Sequence, residues 1–190
     1  MSQHSFLAEF NAFPTLTTES LLLRQPRLED APALFAIKSD PQVTAHYGQE
    51  PHAEVADTQA WVERLRLDFE TYQALFWCLA RPEDDTAIGA GGFWNFDSSY
   101  HCAEIGYELH PEYWGRGLMT EALRAMLGYG FEQVGLHRVE ANPLDGNAAS
   151  RRLLAKLGFQ LEGRLRQRHY FRGKYHDQLY FGLLQDEWNE

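Results

Sequence analysis

The chain has 190 residues, a formal net charge of −10, and 44% hydrophobic and 14% aromatic residues. That balance suits one globular domain with a real core and argues against nucleic acid or an anionic membrane surface as the main partner. No apolar run is long enough to span a bilayer, the start MSQHSFLAEF lacks the order of a secretion signal, and the two cysteines, Cys78 and Cys102, read as reduced core residues of a cytoplasmic protein.

In chain order, ESLLLRQP predicts a first strand ended by Pro26, and LEDAPALFAIKSDP a helix capped by Asp30 and closed by Pro41. HAEVADTQAWVERLRLDFETY carries the apolar spacing of a second helix. ALFWCLARPED and TAIGAGGFWNFD read as a hairpin, and YHCAEIGYELHP as the next strand. Its alternation puts Glu104, Gly106 and Glu108 on one face and Ile105, Tyr107 and Leu109 on the other. A helix follows over roughly Arg116 to Phe131, then the strand LHRVEAN. The helix NAASRRLLAKLG is expected to stop at Gly158 with Phe159 as its apolar partner. Two strands, joined at RGKY, close the chain. Adjacent strands mixed with single crossover helices indicate an α+β sheet in one domain over 1–190, its core about 16–188, and not a doubly wound unit.

YWGRGLMTEAL sets two glycines at a helix mouth, where unpaired amides and the positive end of the dipole suit a phosphate. A dinucleotide fingerprint would need a third glycine and a Walker loop a Gly-Lys-Ser/Thr run; both are missing. A plain tight turn is the competing reading. Basic residues concentrate in RRLLAKLGFQLEGRLRQRHYFRGKYH, so the C-terminal part has the charge to host an anion locally. Most aromatics belong to the core; Tyr47, Phe93 and Trp94 are candidates for an acceptor cleft.

The order strand, glycine loop, helix, strand, helix, LGF resembles the GNAT superfamily of acyl-CoA-dependent N-acyltransferases. EIGYELHPEYWGRGLMTEAL, RVEANPLDGNAASRRLLAKLGFQLEG and GKYHDQLYFGLL, with FPTLTTESLLLRQPRLEDAPALFAI before them, are similar to its RimJ/RimL-type branch, which acetylates protein N-terminal amines. The resemblance covers about 16–188. It implies a GNAT fold: a mostly antiparallel seven-stranded sheet, splayed between its fourth and fifth strands and flanked by about four helices.

It also implies acetyl-CoA as cosubstrate and no metal. The pyrophosphate would lie on the amides of Trp114, Gly115, Arg116, Gly117, Leu118 and Met119, with Met119 standing where the superfamily has a small residue and narrowing the approach. The pantetheine arm would pair with the backbone of Glu108, Leu109 and His110 and touch Asn147. The Leu109 N–H would polarise the thioester carbonyl. Ser150 takes the place of the group that protonates the leaving thiolate, because the tyrosine used elsewhere in the superfamily is Leu154 here. Glu104 and Glu108 are candidates for receiving the ammonium proton, Glu104 also for holding the acceptor, and His169 for a general base. Against these stand plain readings: solvated glutamates on a sheet face, Asn147 as a helix cap, a structural histidine. The implied partner is an amine, on a protein N-terminus or a small molecule, with no nucleic acid or membrane and with a homodimer allowed. A CoA-binding module without turnover is the alternative from another class.

Overall fold

The run ALFWCLA becomes strand β3 (Ala74–Ala80), buried on both faces, at the centre of one half of the sheet. Trp77 and Leu79 enter the larger core, whereas Phe76 and Cys78 enter a smaller one on the opposite face. The computed structural model describes residues 12–46, 48 and 50–188. Around β3 lie β1 (Leu16–Thr17), β2 (Leu22–Arg24), β4 (Ala87–Asp97), β5 (Cys102–Leu109), β6 (Arg138–Ala141), β7 (Gln160–Phe171) and β8 (Lys174–Leu184). The order is β1-β2-β3-β4-β5-β6-β8-β7, all antiparallel except β5 with β6.

Eight strands replace the expected seven because the first predicted strand is preceded by a short antiparallel partner, β1. The helices are α1 (Ala31–Lys38), α2 (Pro41–Thr44), α3 (Val55–Glu70), α4 (Leu118–Tyr129) and α5 (Ala148–Lys156). Pro41 does not simply end α1. It occupies the first position of α2, where its missing N–H costs nothing, and the Asp40 side chain accepts from Gln42 N. Helices α1 and α3 cover the smaller core; α4 and α5 cover the larger. Among the described residues no helix is long and apolar enough to cross a membrane.

Asp30 precedes α1 as predicted, but its carboxylate does not bond the first amides of that helix. It accepts two bonds from the Arg24 guanidinium at 2.7 Å each and one from Arg27 N at 2.8 Å. Arg24 is 4% exposed and also reaches Asp85 at 2.5 Å, whose carboxyl is held below the usual range chiefly by that bond. A charge so deep in the protein persists only because it is fully paired.

The end of α5 follows the sequence expectation closely. Gly158 has φ +92°, its N–H donates to Ala155 O, and the N–H of Phe159 donates to Leu154 O. With Leu154 and Phe159 both buried, this is a Schellman stop with its apolar contact. Arg172 and Gly173, both at positive φ, form the turn that joins β7 to β8. Of the cysteines, Cys78 is fully buried and Cys102 only half-buried; both are free thiols.

Candidate active site

The splay lies between β5 and β6, the expected place once the extra first strand is counted. Only Cys102, Ala103 and Glu104 pair with β6, opposite Arg138, Val139 and Glu140. Beyond Glu104 the two strands part. On its other edge β5 stays paired with β4 as far as His110, whose N–H donates to Ile88 O at 2.9 Å. Backbone groups alternate along a strand, so Tyr107 and Leu109 turn their N–H and C=O groups into the opening. The Leu109 carbonyl there accepts the indole N–H of Trp114 at 2.8 Å, and the Leu109 N–H faces the gap.

Past the end of β5 the chain turns into α4 through Gly115 at φ +75° and Gly117 at φ +84°. A Cβ at either would meet nothing within 4 Å. The positive φ at each is a backbone conformation that favours glycine, whatever the space around it. The first helical bond runs from Glu121 N to Gly117 O, and among the described residues no hydrogen bond engages the N–H groups of Arg116, Gly117, Leu118 or Met119. Two expectations are corrected. The Trp114 N–H donates to Pro111 O at 3.1 Å and drops out of the amide set. Met119 is 9% exposed with its side chain in the larger core, so it does not narrow the mouth. Arg116 is exposed, its guanidinium 5.3 Å from the Tyr113 ring centre.

Across the opening, Asn147 caps α5 by accepting from Ser150 N at 3.0 Å. The plain reading of Asn147 holds, and the residue also lines the cleft. The Ser150 hydroxyl lies 2.8 Å from the Tyr107 hydroxyl. Burial pushes the Tyr107 phenol up to about 12, with the Ser150 bond acting the other way, so it stays protonated at neutral pH. Leu154, in the tyrosine's place, is a fully buried core residue.

These groups open onto a cleft of about 630 Å³ between α1, α3, β5 and β7. Glu104 lines it, and its Oε1 accepts from Asn95 Nδ2 at 2.7 Å; among the described residues it makes no ion pair. Asn95 sits at a bulge in β4 with φ +57°, a conformation asparagine tolerates. Glu108 departs from expectation: it is 7% exposed and ion-paired with Lys38 Nζ at 3.0 Å, while that ammonium stands 3.8 Å over the Trp61 ring. A carboxylate held this way is not a solvated surface group, and its charge is already matched by the Lys38 ammonium. His169 Nε2 donates to Gly48 O at 2.8 Å, which leaves Nδ1 as the ring atom able to take a proton.

Trp94 lines the cleft, its ring lying where a Cβ on Gly106 would be, 2.3 Å away. Phe93, its neighbour, is corrected to a core residue: it is fully buried against Trp77 and Phe96. Adjacent strand residues face opposite ways, so the two were never equivalent. Tyr47 lies outside the described residues. Sequence reading missed Lys38, Trp61, Tyr107 and His52. The His52 ring contacts the buried Thr58 hydroxyl at 2.8 Å, and the His52 backbone N–H donates to Lys38 O.

Burial, and next the Lys38 charge, hold the His52 imidazole below its ordinary value. The unfolded chain therefore takes up the proton first as pH falls below about 6.5. Stability is full above that value and is lost as pH drops through it toward the folded value. Between pH 7 and pH 5 the melting midpoint of the protein will fall more steeply than that of His52→Asn. Parallel slopes would remove His52 from the account.

Residues 20–160 match the family model described as an acetyltransferase (GNAT) domain. The chain belongs to the GNAT acetyltransferase family. Among relatives, the uncharacterized N-acetyltransferase YoaA of Bacillus subtilis is 36% identical over 172 residues, 90% of this chain and 97% of that one. The ribosomal protein uS5-alanine N-acetyltransferase of Escherichia coli is 30% identical over 182 residues, 91% and 92% of the two chains. RimJ of Mycobacterium smegmatis, solved in complex with CoA-disulfide, superposes with a TM-score of 0.81 at 26% identity, over 94% of this chain and 90% of that one. This GNAT chain is thus an N-acetyltransferase of the RimJ/RimL-type branch.

Proposed function

We propose that this GNAT enzyme transfers the acetyl group of acetyl-CoA to the α-amine at a protein or peptide N-terminus, by direct attack in a ternary complex. The observation that carries the reading is the Leu109 N–H turned into the splay, two residues along β5 from Tyr107 with its Ser150 hydroxyl partner. The residues fit the cosubstrate: the amides of Gly115 to Met119 suit a diphosphate, with Arg116 beside them. The free edge of β5 from Tyr107 to Leu109 suits an extended amide chain, with Asn147 opposite. Acetyl-CoA supplies an activated acyl group and a thiolate leaving group.

The chain's own groups do the rest. Glu104, held by Asn95 and in no ion pair among the described residues, receives the proton of the acceptor ammonium; His169 Nδ1 is the second acceptor of protons in the cleft. The Leu109 N–H stabilises negative charge on the carbonyl oxygen. The Ser150 hydroxyl, backed by Tyr107, gives a proton to the departing sulfur, an easy task because a thiol has a pKa near 8.5. Trp94 and Trp61 form apolar walls that exclude water.

Two readouts test this. Acetyl-CoA or CoA at about 100 times its dissociation constant will add about 2.7 kcal/mol and raise the melting midpoint by roughly 5–10 °C, whereas ATP and NADH will not. Thiol will then appear in proportion to added peptide amine. A midpoint unmoved by either CoA species would sink the reading.

A further inference from the structure

The chain is acidic, at −10, yet its C-terminal third carries a basic run that the reaction does not use. The fold gathers part of it at one place. Strand β7 ends the sheet, with β8 as its only neighbour among the described strands. Its register against β8 breaks between Leu165, opposite Gln178, and His169, opposite His176. Arg166, Gln167 and Arg168 therefore bulge out opposite Asp177 alone, with Gln167 at φ +54°. Asp177 is already engaged: it accepts Gln167 N at 2.7 Å and Arg164 Nε at 2.6 Å, and Arg164 also pairs with Asp145 at 3.2 Å. Arg166 and Arg168 are exposed, and among the described residues neither makes an ion pair. With Leu165, 44% exposed, they line a hollow at the bulge.

Position gives the hollow its meaning. His169, the residue after Arg168, lines the cleft. Arg168 and Arg166 stand one and three positions before it on the strand, roughly 3 to 10 Å at about 3.3 Å per residue, a span that a few residues of an extended acceptor would cover. The signs differ at the two ends. Unpaired Glu104 suits an ammonium, and the arginines suit carboxylates. A polyamine or a basic peptide would carry the wrong charge at the second place. The bulge also bends the edge away from strand pairing, so side chains and not backbone would make the contact.

We propose that Arg166 and Arg168 dock acidic side chains of the acceptor polypeptide a few residues beyond its reactive N-terminus. The enzyme therefore selects acidic N-terminal segments. This rests on the acetyl-transfer reading above and names the class of its acceptor.

The test uses two peptides that share their first residues, one continuing with aspartates and glutamates and the other with lysines, plus a small amine with no chain. Turnover is followed by thiol release and peptide binding by fluorescence anisotropy. The acidic peptide will be preferred by about tenfold or more, mainly through KM, and the preference will shrink with added salt. R166E/R168E will reverse it while leaving small-amine turnover unchanged; R166Q/R168Q, which abolishes it, serves if the reversal fails to fold. Equal KM and equal binding for the two peptides would overturn the proposal. So would an oligoribonucleotide that binds the arginines while the peptides react alike, or a dimer that R166E/R168E splits. Tighter binding of the acidic peptide with no thiol released from any amine would sink the transfer reading and keep the hollow.

Discussion

Asp30→Ala will lower the folding free energy by about 3–5 kcal/mol, which for a chain of this length moves the melting midpoint down by roughly 10 °C or more. Arg24 is 4% exposed, and its guanidinium donates two of its bonds to that carboxylate. Removing Asp30 leaves a buried cation with Asp85, a partner itself nearly half exposed. Arg27 N loses its acceptor as well. The pair need not add net stability to produce this effect, because breaking it leaves one charge uncompensated. Arg24→Met combined with Asp30→Leu should accordingly recover most of the loss. Urea titration of both variants decides the matter. A loss under about 1 kcal/mol in the single variant would mean that water reaches Arg24.

Ser150→Ala will lower kcat by about a hundredfold, within the range for loss of a general acid, with little change in the KM for acetyl-CoA. The fold will not suffer. Asn147 caps α5 through the Ser150 backbone N–H, which alanine keeps, and alanine is the better helix former. Tyr107→Phe removes the hydroxyl at 2.8 Å and will cost less, since Ser150 stays in place. The double variant will be no slower than Ser150→Ala alone, because the two hydroxyls act as one unit. Steady-state thiol release separates these outcomes. An unchanged kcat in Ser150→Ala would assign the proton to solvent.

Much of the fold could be read from local pattern. The alternation in EIGYELHP placed each β5 side chain on its observed face, and Gly158 with Phe159 announced the end of α5. These signals repeat over a few residues and arise from the backbone itself. The Lys38–Glu108 pair left no such trace, since its members stand 70 residues apart and meet only when α1 packs on the sheet. The Arg24–Asp85 contact spans 61 residues and was hidden for the same reason. The misplacement of Phe93 was avoidable. Trp94 opposes Glu104 in the ladder, so strand parity puts Trp94 with the cleft and Phe93 with the core. At the α4 mouth the sequence shows that two side chains are missing, but not the positive φ angles that go with them.

The sheet is less continuous than its strand order suggests. Strands β1 to β5 form one panel and β6, β8 and β7 a second, and only three residue pairs, Cys102 to Glu104 with Arg138 to Glu140, stitch them together. The amides of Tyr107 and Leu109 beside this seam lack a neighbouring strand and will exchange hydrogen for deuterium far faster than Glu108 and His110, which face β4. A ligand that lies along β5 bridges the panels as a further strand. It will slow exchange on both sides of the seam and tie the two panels together along an edge where their strands do not meet.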